Sequence, residues 1–405
     1  MLNRINAEIG FLLFTMLFAL LVPIAEKAAN TALILSMMIG IFLIKKYNVI
    51  FKNIVKEPLI KPLALFFFIL LLTVPFSLNV YASFRVYLHM ITYVFPFIMF
   101  VLLRSVKEKY KVNCGYIFHS YLIGCIISGV YAICQYMQTK KMYVTSFYDH
   151  HVIFASFLAT SLPIIVALFI GASTFKKKVG YLIAGSLCSF VLVLTQARGP
   201  WIATVSAFTI ISYIMRARIF MNKKMVAAGV IVVIAIGFFT MPLYIERAKT
   251  IVEPAWSSNY DRLLIWQSTI NMIKDYPITG IGLGQFYKVY NSEYVSPLSL
   301  ERTHPHAHNS YLMLASESGI VVLAAFLYLL FQIYKLLLLL LRNTEKNKYV
   351  VGYIGVFTSV IISSCVDTIF WASYINKILW LMLGLIVYEG LDGECRRDIR
   401  RNSHG

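Results

Sequence analysis

Acidic side chains are scarce in this chain, with 18 Asp and Glu against 37 Lys and Arg among 405 residues. Charged residues of both signs reach only 14%, and no stretch of the chain reads as a soluble domain. The six cysteines, Cys114, Cys125, Cys134, Cys188, Cys365 and Cys395, offer no CxxC metal site and no disulfide framework. The alternation of apolar and polar residues that a membrane barrel requires is missing, because the apolar runs are continuous. No small-residue cleavage site follows the first apolar run, so it reads as a retained helix and not as a signal peptide. Internal repeats and low-complexity tracts are likewise missing.

What the chain has is grease: 59% of its residues are hydrophobic and its mean hydropathy is +0.74. Apolar runs of the length that crosses a bilayer recur from end to end. In lipid the backbone must satisfy its own polar groups, so continuous runs of this kind are spanning helices. The pattern predicts twelve, over 8–24, 29–44, 61–78, 86–103, 114–136, 151–171, 180–197, 200–215, 225–243, 309–341, 349–369 and 377–391. The expected architecture is an all-α integral membrane domain. Helices fill 1–243, a large outer loop fills 244–308, and the last helices and an inner tail fill 309–405.

The basic residues orient this arrangement. With the N-terminus in the cytoplasm, the inner connections hold Lys45, Lys46, Lys52, Lys56, Lys107, Lys109, Lys111, Lys176, Lys177 and Lys178. They also hold Arg216, Arg218, Arg342, Lys346, Arg396, Arg397, Arg400 and Arg401. The positive-inside rule then puts both termini in the cytoplasm. Inner cations facing anionic lipid account for most of the net charge of +19, and no nucleic-acid partner is needed.

One connection is long, the excursion 244–308. Its scattered aromatics, Trp256, Tyr260, Trp266, Phe286 and Tyr287, argue against disorder. Residues 263–273 carry apolar positions at helical spacing, and Pro277 bars continuation past Asp275-Tyr276. A glycine-rich turn, Thr279 to Gly284, follows.

The excursion ends in His304-Pro305-His306-Ala307-His308-Asn309, directly before an apolar run. His306 and His308 share a side in an extended chain, whereas His304 and His308 share one in a helix. Either pair could hold a metal, but no tetrahedral set of Cys, His and carboxylate ligands stands beside them in the sequence, so no metal and no cofactor is expected. Polar residues at a headgroup boundary are the bland alternative. The sharper reading is a neutral imidazole that takes a proton from a substrate hydroxyl, with Asn309 capping the next helix and aiming its dipole at an anion.

Two arginines have comparable claims. Arg198, in Ala197-Arg198-Gly199-Pro200, lies between two spans on the outer side, where it either snorkels or grips phosphate oxygens with its planar fork. Arg262 opens the loop helix beside Asp261, with which it could simply pair. Arg302 is a further outer cation, as are Arg85, Arg247 and Lys288. Ionisable residues inside apolar runs include Glu317, Lys335 and Asp367. On a continuous helix Glu317 stands roughly 13 Å beyond His308 and on the other face, so it is not expected to orient that ring. Asp367 lies near the outer end of its run and could reach the same cavity. Cations and an imidazole converging on one membrane face suit a lipid-linked phosphate donor and an acceptor hydroxyl. A twelve-helix transporter or flippase would instead spread its charges along a central path and break its helices in mid-membrane.

Three elements in this order resemble the O-antigen ligase and polymerase superfamily of bacterial envelope glycosyltransferases. They are the Arg198-Gly199 turn; Arg262 with Trp266 and Asp275-Tyr276-Pro277-Ile278-Thr279-Gly280-Ile281-Gly282; and His306-Ala307-His308-Asn309-Ser310-Tyr311-Leu312 with Gly319. The similarity runs over about residues 185–340, and Val322 departs from it, standing where ligases often carry a second glycine. The resemblance implies a GT-C-like membrane fold in the bacterial inner membrane with its active site facing the periplasm. It implies an inverting, metal-independent glycan transfer from an undecaprenyl-diphosphate-linked donor. The acceptor is a lipid A-core sugar in ligases and a second carrier-linked glycan in polymerases; the short 137–150 loop favours the ligase. Carried over by position, His308 is the base, Arg198 and Arg262 hold the diphosphate, and His306, Asn309, Arg302, Glu317 and Asp367 are possible supports.

Overall fold

The computed structural model describes residues 2–49, 54, 57–104, 112–139, 141, 143–216, 231, 258–299, 302–343 and 348–390. Among the described residues every regular element is a helix. In chain order these are α1 (Leu2–Leu21), α2 (Glu26–Lys46), α3 (Ile60–Thr73), α4 (Val80–Arg104), α5 (Cys114–Thr139), α6 (His151–Gly171) and α7 (Phe175–Leu194). They continue as α8 (Arg198–Ile214), α9 (Ser258–Asp275), α10 (Phe286–Val289), α11 (Ser310–Ser318), α12 (Ile320–Asn343), α13 (Lys348–Ser363) and α14 (Ser373–Gly390).

Six helices are long and apolar enough to cross a membrane by length and composition: α2, α4, α5, α6, α7 and, over Ile320–Leu341, α12. Shorter apolar stretches occupy Ala7–Leu21, Ile60–Phe76 and Lys348–Ser363. Helices α8 and α14 also coincide with apolar runs. The run 225–243 falls outside the described residues apart from residue 231.

Helix α6 is the axis of the bundle, packed on α7, α8 and α13. Within its apolar stretch 83% of the residues are buried, whereas only 22% are in α7. Both sequences are apolar around the helix, so composition does not separate a helix wrapped in protein from one that leaves most of its surface to lipid; neighbours do. Helix α14 packs along α4, α12 along α3, and α1 against α2 and α5.

Two apolar runs differ from the expected single helices. The run 309–341 is not continuous but breaks at Gly319, whose φ is +83°. The physical reason is a crossing strand of backbone: a β-carbon at Gly319 would lie 1.9 Å from the Ile278 carbonyl oxygen. The Ile320 N–H, released by the break, donates to Pro277 O at 2.8 Å. The run 349–369 ends its helix at Ser363, and Asp367 lies in an irregular turn beyond it rather than within a helix.

Helix α9 forms as its apolar spacing predicts and stops at Asp275, just before Tyr276-Pro277. The glycine turn after it is stitched to the bundle. Ile281 and Gly282 donate to Ser316 O (3.0 Å) and Glu317 O (2.8 Å), Leu78 donates to Ile281 O (3.2 Å), and Ser83 Oγ donates to Leu283 O (2.8 Å). Gly282 has φ +106°, and a β-carbon there would meet Ser77 Oγ at 1.8 Å. The described part of the excursion is therefore a fixed cap on one end of the bundle.

Candidate active site

The histidine segment is held from both sides. Asn291 brackets the His304 backbone, accepting its N–H at 2.9 Å and donating to its carbonyl at 3.4 Å. The His304 ring is buried, edge-on to Tyr290 at 5.9 Å. At the other end Asn309 Oδ1 accepts the N–H groups of Tyr311 (2.9 Å) and Leu312 (3.0 Å), capping α11 as its residue type and position predict. Between them His308 takes φ +48°. A left-handed histidine costs conformational energy, and such residues concentrate where geometry serves function.

The turn 364–367 receives hydrogen bonds from two segments of the chain. Ser310 N–H donates to Ser364 O (2.8 Å) and Asp367 O (3.1 Å), and Ser310 Oγ donates to Asp367 O (3.0 Å). Asn309 Nδ2 donates to Cys365 O at 2.9 Å, and Arg262 Nη1 donates to Val366 O at 3.2 Å. Gly199 approaches the same turn, so that a β-carbon on it would lie 2.8 Å from Val366 Cγ2. Four successive carbonyl-bearing positions thus gather the start of α8, the start of α9 and the entrance of α11.

Beside this turn is a cavity of about 280 Å³, lined among others by His150, Arg262, His306, His308, Asp367 and Trp371. The His306 and His308 rings meet edge to face with centroids 4.2 Å apart. His308 Nδ1 stands 3.9 Å from Asp367 Oδ1, a contact too long for a hydrogen bond. Burial, followed by the charges of His306 and Arg262, pushes the His308 imidazole down to about 3. Burial also lowers His306, opposed by Asp367. A neutral imidazole beside a guanidinium and a carboxylate can accept a proton while the cation holds an anion.

Of the residues singled out from the sequence, the structure brings His306, His308, Arg262 and Asp367 into one cavity, with Asn309 at its edge. Arg198 opens α8 next to the shared turn, but its exposed side chain is not among the cavity walls. Arg302 is exposed and stands outside the lining. Glu317 is fully buried and serves the glycine turn, its Oε1 accepting the Phe286 N–H at 3.1 Å. Asp261 accepts from Ser299 Oγ at 3.2 Å, so Arg262 and Asp261 point to different partners.

Two features escaped the sequence reading. His150 lines the cavity and caps α6, its Nδ1 accepting the Val152 N–H at 3.3 Å. The signal was available, since His150-His151 precede an apolar run just as His308-Asn309 do. The second is a group of three side chains that could hold a metal ion. His306, His308 and Asp367 each offer a donor atom within 4.8 Å of the others. Asp367 comes from a separate segment; that it could reach the cavity was expected, but not that it stands as a third donor beside the two rings.

Fold and cavity together define a multi-pass membrane protein with a histidine, arginine and carboxylate site where its helices end. Comparison with known proteins gives that class a family. Residues 183–327 match the family model described as O-antigen ligase. A Rickettsia conorii protein provisionally named a polysaccharide ligase is 31% identical over 127 residues, covering 30% of this chain and 30% of that protein. The region that carries Arg198, Arg262 and the histidine segment is thus similar to the O-antigen ligase family.

Proposed function

We propose that the protein is an O-antigen ligase, moving a glycan from an undecaprenyl-diphosphate carrier to a lipid A-core acceptor at the periplasmic face of the bacterial inner membrane. The observation that carries this reading is the shared cavity of His308 and Arg262 inside the family-matched segment. His308 takes the proton of the acceptor hydroxyl as that oxygen attacks the anomeric carbon. The bond from that carbon to the diphosphate breaks on the opposite side, which inverts the centre, and the carrier diphosphate leaves with the bonding electrons. Arg262 faces the charge that develops on the leaving group, and Arg198, exposed at the neighbouring helix start, meets the carrier diphosphate from outside the cavity. Cations placed at such a charge supply much of the rate in transfers whose leaving group is already good. The step needs no cofactor.

His308→Ala is expected to lower transfer by about two to four orders of magnitude, the range of a lost general base. Carrier-linked donor should still bind. Arg262→Lys keeps the charge but loses the planar fork and should slow turnover. The test is envelope glycan analysis in a deletion strain complemented with each variant. Unattached long chains on the carrier support the ligase; single attached repeat units would replace it with a repeat-unit polymerase. Normal attachment with His308→Ala would refute the base.

A further inference from the structure

We propose that His306, His308 and Asp367 form a two-histidine, one-carboxylate site for a borderline divalent cation, Zn²⁺ foremost, and that its occupancy shuts the transfer site. The blocking half rests on the proposed role of His308; the binding half does not.

The geometry is that of an assembled ligand set. One donor atom from each residue lies within 4.8 Å of the others. Zinc bonds of about 2.0–2.2 Å to nitrogen and oxygen place neighbouring ligands roughly 3.3–3.5 Å apart, so small side-chain rotations close the set. The Nδ1 atoms of His306 and His308 are buried and have no hydrogen-bond partner in the protein. Buried polar atoms are ordinarily satisfied, and two such atoms side by side call for a ligand. Backbone bonds hold both segments in register: Asn309 and Ser310 are bonded to Cys365, Ser364 and Asp367 before any ion arrives. The cavity beside the three donors leaves the outward coordination position open to water or substrate.

The donor types select the ion. Two imidazole nitrogens and one carboxylate oxygen suit zinc and its neighbours in the transition series. Magnesium and calcium require a shell of oxygens, and only Asp367 supplies one here. Arg262 lines the same cavity, and its positive charge opposes any cation, which weakens the affinity below that of a structural zinc. Coordination through one nitrogen leaves the proton of an imidazole on the other, so a metal-bound His308 cannot accept a further proton.

Calorimetry on the purified full-length protein in detergent, with zinc chloride and without substrate, tests binding. One zinc per chain is expected, with no heat from magnesium chloride at the same concentration. His306→Gln and Asp367→Asn should each weaken binding by more than the roughly tenfold that even outer-shell changes cost. No binding at high micromolar zinc, or equal binding in both variants, would overturn the site. In a transfer assay zinc should inhibit the wild-type protein and a chelator should reverse it, with a weaker zinc effect relative to its own rate in His306→Gln. Activation by zinc, or full transfer with zinc bound, would overturn the block. Binding is read without substrate, so an active His308→Ala protein would defeat the functional reading and leave the zinc site to stand or fall by calorimetry.

Discussion

At the scale of single residues the site holds its proposed base, His308, in an unusual state. His308 is surrounded by His304, His306, His150, Arg262 and Asp367, and burial with the cationic neighbours brings its imidazole down to about 3. A depressed value means the neutral form is favoured in the folded protein. The associated stability is present above the ordinary histidine value near 6.5 and is lost as pH falls toward about 3. So low a value also makes His308 a weak base in the free site. A diphosphate bound as proposed would reverse part of this, since its negative charge next to Arg262 would favour the protonated imidazole and raise basicity when the acceptor is attacked. The acid limb of kcat, which reports the substrate complex, is therefore expected at higher pH than that of kcat/KM, which reports the free enzyme. Coincident limbs near 6.5 in the two profiles would show that the cavity does not perturb His308.

At the scale of elements the site depends on short pieces that end where the chemistry begins. Asn309 does two jobs: its Oδ1 caps α11 and its Nδ2 ties that cap to Cys365 O. Asn309→Asp keeps the cap and loses the tie, whereas Asn309→Ala loses both. The alanine variant should cost about 1 kcal/mol from the cap alone, and a thermal unfolding midpoint lowered more for alanine than for aspartate checks it. Equal midpoints for the two variants would mean that the cap contributes nothing. The cap was legible in the sequence because capping is local, and so was the end of α9 before Pro277. The break at Gly319 was not, because one glycine in an apolar run is compatible with a helix. Only the Ile278 carbonyl crossing above it shows why the helix stops. The place of Asp367 near the outer end of its run already suggested that it could reach the histidines, whereas the union of His150 with them was hidden: it is made by contacts between segments far apart in sequence.

At the scale of the whole molecule the remaining issue is which side of the membrane the cavity faces. The excess of cations in the connections before α3 and α5 and in the first turn of α7 argues that those ends are cytoplasmic, and the turn 364–367 belongs to the opposite end. The chain supplies its own reporter there. Cys365 is an exposed free thiol on the turn whose neighbouring carbonyls bind Asn309 and Arg262, whereas Cys114, Cys125 and Cys188 are buried. Cys134 is also exposed, and Cys395 lies outside the described residues, so both would first be changed to serine. In that background a membrane-impermeant maleimide added outside intact spheroplasts should label Cys365. The bulky adduct, set against the turn that carries Asp367, should then block glycan transfer. Protection of Cys365 until the membrane is permeabilised would place the cavity in the cytoplasm. A periplasmic transfer could not then occur there, however well His308 and Arg262 are placed.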